Sequence, residues 1–265
     1  MTSVWPAASG IELSLFIRQH GFLKYCSSPS FLHSVLDLCY VMANLLCAAV
    51  LLVACISTAH AGHAFHVENR CPHNVYVFTN SKQYNVNRGG RVTIPVPAHW
   101  SGRLWGRRSL GHQPYKDTLV EFTFDGHGNQ DYYDISLVDG YNLPVSVEPK
   151  PGTFTSGPGQ YYCKKAQCKM DLNRQCPQQL KYSENGQVVA CQSACEKFHQ
   201  DIYCCANRHD RPETCQLKDW PVNYASKIKA ICPDAYSYAY DDQASTYTCR
   251  SNGNQNSQYN VVFCP

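Results

Sequence analysis

Apolar and polar residues alternate with period two along several short stretches between residues 63 and 149. In Arg91-Val-Thr-Ile-Pro-Val96, Val92, Ile94 and Val96 share one face. Pro95 cannot donate to a ladder, so this run is expected at a sheet edge. Phe65-His-Val67 and Val75-Tyr-Val-Phe78 precede it, and the polar stretch Asn85 to Gly90 between them reads as a turn. Gly102-Arg-Leu-Trp-Gly-Arg107 places Arg103 and Trp105 on the same side. Leu119–Phe124 follows, then Asp125-Gly-His-Gly as a hairpin turn, then Asp131–Val138 and Leu143–Val147. Strands about ten residues apart, separated by Gly, Pro and Asn, predict a mainly β chain built as a sandwich or barrel.

One stretch departs from a plain core strand. Asp131-Tyr-Tyr-Asp-Ile-Ser-Leu-Val-Asp139-Gly is β-prone but carries acids. In an unbroken strand residues 134 and 139 point to opposite faces. They reach one face only if the backbone breaks near Ser136–Gly140. Asp139-Gly140 is also a good turn pair, so Asp139 has a purely structural reading as well.

After Pro149 the pattern changes. Residues 150–159 read as a Pro- and Gly-rich loop, and nine cysteines fall from Cys163 to Cys232. Such a segment builds little core and depends on bridges. Gln192–His199 and Pro221–Ile231 are predicted helices, with Pro221 in the first turn of the second. Ser245–Thr248 and Tyr259–Phe263 are again β-like. If these late strands return to the first sheet, the cysteine-rich segment is an insertion in the sandwich.

The sixteen cysteines divide in a useful way. Cys26, Cys39, Cys47 and Cys55 precede residue 62, in a stretch that reads as a leader. Residues 45–56 form a short apolar run followed by Ala59-His-Ala61, the form of a cleaved signal peptide. Met42 opens a compact signal by itself and is the expected true start. The rival reading, a membrane anchor, asks for about 20 apolar residues, more than this run supplies. Twelve cysteines remain in residues 62–265, an even number that reads as six disulfides in a secreted, extracellular chain. Zinc is the alternative, but no Cys-x2-Cys pair repeats and His66, His73, His99, His112 and His127 lack ligand spacing, so neither metal nor cofactor is expected. The net charge of +3 carries no polybasic run and gives no argument for nucleic acid. Ser136 sits in no Gly-x-Ser-x-Gly elbow.

Several stretches, in one order, resemble the thaumatin-like family, which includes osmotin-type and pathogenesis-related antifungal proteins. They are Phe65-His-Val-Glu-Asn-Arg-Cys-Pro72, Arg103-Leu-Trp-Gly-Arg107, Asp134-Ile-Ser-Leu-Val-Asp-Gly-Tyr-Asn-Leu-Pro144, Asp201-Ile-Tyr-Cys-Cys205, Cys232-Pro-Asp-Ala-Tyr-Ser-Tyr238 and Val261-Val-Phe-Cys-Pro265. The resemblance implies a disulfide-rich thaumatin-like β-sandwich, with core at about 63–165 and 233–265 and an inserted cysteine-rich loop and helix subdomain at about 166–232. It implies the bridges Cys71–Cys264, Cys163–Cys249, Cys168–Cys232, Cys176–Cys191, Cys195–Cys204 and Cys205–Cys215. One departure stands out. Arg108 to Asp117 replaces a Gly- and Cys-rich loop of the family and holds no cysteine.

The same resemblance places Arg103, Glu121, Asp134, Asp139 and Asp234 in a cleft. Paired carboxylates can divide acid and nucleophile or base roles on a glycosidic bond, and acids with aromatics can bind sugar hydroxyls without reaction. The first expectation is a monomeric antifungal defence protein binding β-1,3-glucan or a related cell-wall polysaccharide. The second is a weak endo-β-1,3-glucanase, with Glu121 as proton donor and Asp134 or Asp139 as nucleophile or base. The third is a scaffold that engages a protein, a fungal surface or a membrane. The tyrosines Tyr132, Tyr133, Tyr141, Tyr236 and Tyr238 are expected mainly in the core or on its rim.

Overall fold

The computed structural model describes residues 62–111, 116–253 and 256–265, with Met42 alone before them. The expected leader, signal and start at Met42 fall on residues 1–61, otherwise outside the described residues. In chain order the strands are β1 His63–Asn69, β2 Val75–Thr79, β3 Gln83–Val86, β4 Arg91–Val96, β5 Ser101–Arg107, β6 Leu119–Gly126, β7 Gln130–Ser136 and β8 Gly140–Tyr141. They continue as β9 Val145–Pro149, β10 Ala166–Cys168, β11 Lys181–Glu184, β12 Gln187–Gln192, β13 Ala235–Tyr236, β14 Tyr247–Cys249 and β15 Gln258–Phe263.

Two sheets carry the sandwich. The first has the order β10-β9-β15-β1-β4, with β1 parallel to β15 and antiparallel to β4. Pro95 therefore does lie on an edge strand. The second runs β13-β7-β6-β5-β2-β3, and β14 pairs with β7 beside β13. The chain's last strand thus lies against its first, and the late segments do return to both sheets.

Alternation decides what lies between the sheets. Phe65, Val67, Tyr259, Val261 and Phe263 point inward from one, and Leu104, Val120, Phe122, Phe124, Tyr133 and Ile135 from the other. Their rings interlock edge to face: Phe65 on Phe122 at 4.7 Å and Phe122 on Tyr259 at 4.8 Å between centroids. Each such buried side chain contributes about 1.5–3 kcal/mol relative to exposure. Gly106 sits where β5 passes closest to this layer, and a Cβ there would lie 2.6 Å from the Phe263 ring. The complementary residues of β5, β6 and β7 (Arg103, Trp105, Glu121, Asp134) consequently face outward.

The disulfides are Cys71–Cys264, Cys163–Cys249, Cys168–Cys232, Cys176–Cys191, Cys195–Cys204 and Cys205–Cys215, the pairing that the family resemblance implies. The first joins residues 193 apart in sequence. Bridges closing loops this long restrict the unfolded chain by about 4 kcal/mol or more in the chain-entropy model.

Several expectations shift. Strand β10, at the start of the cysteine-rich segment, pairs with β9 in the first sheet. The strand expected over Asp131–Val138 stops at Ser136. The helix placed at Pro221–Ile231 runs Tyr224–Ile231, capped by Asn223, whose Oδ1 accepts the Ser226 N–H at 2.9 Å. Pro221 lies before it because a hydrogen-bonding cap is available two residues later. The helix expected at Gln192–His199 is Ala194–Phe198, capped by Ser193. Strand β3 and the hairpin β11–β12 add to the expected elements, and β12 continues onto β8 as a third, small sheet.

Candidate functional site

Antiparallel register builds the site. Arg103 on β5 lies opposite Glu121 on β6, and Glu121 lies opposite Asp134 on β7. Side chains directly opposite one another have Cβ atoms about 4.5–5.5 Å apart. The three therefore form one row across the outer face of the second sheet. Arg103 Nε lies 3.7 Å from Glu121 Oε1, and its NH1 lies 3.7 Å from Asp139 Oδ2.

Asp139 joins the row because the strand breaks, as its parity required. The Leu137 N–H turns to the Tyr236 carbonyl at 2.9 Å, and Leu137 is buried. Val138 and Asp139 form a bend, and Gly140 at φ +147° leads into β8. A Cβ on Gly140 would lie 2.9 Å from the Cys191 carbonyl oxygen and 3.0 Å from Lys116 Cα. The bend can therefore be held this close only by glycine.

Arg103, Glu121, Asp134 and Asp139 line an open groove of about 410 Å³, with Ser136, Val138, Tyr236 and Ala239. Asp234, the fifth expected member, does not line it. Its Oδ2 accepts the Gln167 N–H at 3.1 Å, and it also bonds the Tyr247 hydroxyl. This corrects the expectation, and the cause is simple. Asp234 immediately precedes β13 and is drawn to β10, whereas the chain reaches the groove only at Tyr236. A later acid stands closer to the row. Asp242 accepts the Tyr236 hydroxyl at 2.9 Å and is near enough to raise the Asp134 pKa.

The three groove acids are not equivalent. Asp134 is pushed up to about 8, first by burial, then by Glu121 and Asp242. Its Oδ1 is buried with no hydrogen-bond partner. Glu121 is raised by burial and by Asp139, against the lowering effect of Arg103 and of a hydrogen bond from Ser136. Asp139 is also raised by burial and opposed by Arg103. With its pKa pushed up to about 8, Asp134 holds an O–H to donate at neutral pH, beside two raised carboxyls whose shift Arg103 opposes. Both Glu121 and Asp134 are raised, but Glu121 has a cation beside it while the charges acting on Asp134 are anionic.

Sequence reading missed further polar groups bordering the row. Arg107 and Asp117 form a tight pair, NH2 to Oδ2 at 2.6 Å and Nε to Oδ2 at 2.9 Å. Asn142 braces it by donating to Asp117 Oδ1 at 2.8 Å and to the Gly106 carbonyl at 2.8 Å. The parity of Arg103, Trp105 and Arg107 on one strand was the signal that could have placed Arg107 here. Among the described residues no group of three or more His, Cys, Asp or Glu is placed to hold a metal ion. Of the tyrosines, Tyr133 and Tyr141 are core, and Tyr236 lines the groove.

Two packed sheets, locked by six disulfides among the described residues, with acids and an arginine in register on one outer face, mark this chain as a disulfide-bonded β-sandwich with an acidic groove. The profile of the Thaumatin family matches residues 110–265. Pathogenesis-related protein 5 of Arabidopsis thaliana is 38% identical, over 84% of this chain and 100% of its own length. The chain belongs to the thaumatin family. A glucan endo-1,3-beta-glucosidase of Prunus avium is 37% identical, over 78% of this chain and 92% of its own. Among solved structures, a GH family 64 laminaripentaose-producing beta-1,3-glucanase of Paenibacillus barengoltzii, determined with laminarihexaose, superposes with a TM-score of 0.51. It is 13% identical and covers 77% of this chain and 76% of its own, so the likeness is one of fold.

Proposed function

We propose that this is a secreted, defence-type protein that binds β-1,3-glucan or a related cell-wall polysaccharide in the groove over β5, β6 and β7. The observation that carries the reading is Asp134: a protonated carboxyl in an open groove, with one buried oxygen lacking a partner. An unsatisfied buried polar atom costs about 1–3 kcal/mol, and a ligand hydroxyl supplies the missing bond. Sugar hydroxyls both donate and accept, so they suit an acid, two carboxylates and a guanidinium together. Six disulfides fit an oxidising, extracellular compartment. A relative that carries the name glucan endo-1,3-beta-glucosidase points to the same polymer.

A second reading has its own observation. Asp134 as acid, opposite Glu121 on the neighbouring strand with Arg103 opposing the rise of Glu121, is a pairing of two carboxyls in unlike environments, which glycoside hydrolysis requires. Weak endo-β-1,3-glucanase activity would then use Asp134 to protonate the leaving oxygen and Glu121 as nucleophile or base.

Retention on insoluble β-1,3-glucan tests the binding. The oxidised protein is expected to be pulled down, and Asp134→Asn with Asp139→Asn to be released to the supernatant. Equal retention of both removes the groove from the function. Reducing-sugar release from laminarin separates the second reading from the first.

A further inference from the structure

The groove does not end at Arg103. A second depression of about 420 Å³ lies beyond it and shares three lining residues with the first: Arg103, Leu119 and Asp139. The Arg103–Asp139 contact at 3.7 Å is a low saddle between two halves of one trough. The far half is built differently from the acidic half. Its floor is the next row of the sheet, Trp105 opposite Leu119, with Phe78 on the far side of Trp105. This row is two residues along β5 from the acidic row, a displacement of about 7 Å. The Trp105 ring is stacked on Phe78 at 5.5 Å with planes 12° apart, so the platform is rigid.

Polar groups rim the platform. Asn80 lines it and uses its Oδ1 to accept the Arg103 N–H at 2.9 Å, which leaves the amide NH2 to donate. Arg107 sits over Phe78 at 5.2 Å. Its bonds to Asp117 use Nε and NH2, so the NH1 nitrogen keeps its donors. A flat apolar floor with donors and acceptors at the margin is what a β-configured hexopyranose needs. Its equatorial hydroxyls point outward in a rim, and its axial C–H bonds leave an apolar face to lie on an aromatic ring.

We propose that the depression over Trp105 and Leu119, rimmed by Asn80 and Arg107, is a second sugar subsite, taking a ring further along the same chain than the one at Glu121 and Asp134. The inference rests on the glucan reading of the groove and adds to it that the ligand is an oligosaccharide lying across the saddle. Stacking supplies affinity in the far half, and acid chemistry in the near half. The shared wall at Arg103 and Asp139 fixes the step between rings.

The test is a titration with laminari-oligosaccharides of two to six units, followed by calorimetry and by fluorine NMR of protein labelled with 5-fluorotryptophan. Affinity is expected to climb with length, and the Trp105 resonance to shift only with the longer chains. Trp105→Ala and the exposed-site variant Asn80→Ala are each expected to weaken the hexasaccharide about tenfold, equivalent to about 1.4 kcal/mol, and to leave the disaccharide within twofold. If the unmutated protein binds the hexasaccharide while its Trp105 signal stays fixed and Asn80→Ala binds equally well, the second subsite is wrong and the acidic groove stands. If the unmutated protein binds none of the series, both readings fall.

Discussion

Asp134 is unusual for what surrounds it rather than for its type. The charges acting on it are anionic, the nearby Tyr236 hydroxyl is bonded to Asp242 instead, and Oδ1 has no partner. A carboxyl titrating at about 8 when folded and near 3.8 when unfolded binds its proton more tightly in the native state. Stability from this group is therefore fully present below about pH 4 and is lost as pH rises to about 8. Each tenfold difference in proton affinity between the two states corresponds to about 1.4 kcal/mol. Carbon-detected NMR of the side-chain carboxyl is expected to place its midpoint near 8, and a midpoint below about 5 contradicts this picture of the groove. Asp134→Asn mimics the protonated form in shape and charge, so it is expected to abolish that part of the pH slope while costing about 1 kcal/mol or less at pH 4, where the native carboxyl is already neutral. The residues of the row could be chosen from sequence, but not their charge states. Those depend on which partners the register brings together.

At the scale of elements, period-two alternation was enough for β4, β5, β6 and β15, whose buried positions carry large apolar side chains apart from Gly106. It failed for β3, where Val86 is the single buried residue of four. It failed also for β11–β12, hidden in a cysteine-rich segment. There the turn Asn185-Gly186 held the missing signal, since both residues have positive φ, at 49° and 78°, as a tight hairpin of the favoured type requires. Asp234 was misassigned because its place is set by β13 joining β7 in parallel, a pairing that no local pattern announces. The bend at Leu137–Gly140 was legible, because two acids of opposite parity can meet only across a break. Gly140→Ala tests it. The variant is expected to lose about 1–3 kcal/mol in urea unfolding, from strain at a positive φ and the contact with Cys191. Its glucan retention is expected to fall as Asp139 moves away from Arg103. Unchanged stability would mean that the bend is not under the constraint described.

For the whole molecule, the sheets and the bridges serve the groove together. The Cys71–Cys264 bridge and the β1–β15 pairing join the first and last strands of the sandwich. Cys163–Cys249 secures β14 beside β7, and Cys168–Cys232 ties β10 to the end of the helix before β13. The groove's floor is thus held by β5, β6 and β7 and its far wall by segments fixed through disulfides, an arrangement suited to a pre-formed site rather than one that closes on its ligand. Everything proposed for this protein rests on glucan binding to the outer face of β5, β6 and β7. Amide and side-chain shift mapping of the labelled, oxidised protein with laminarihexaose tests that directly. The largest shifts are expected at Arg103, Glu121, Asp134, Asp139 and Tyr236, continuing to Trp105 and Asn80. Shifts confined to the opposite sheet, at residues such as His66, Thr93 and Asn260, would contradict it.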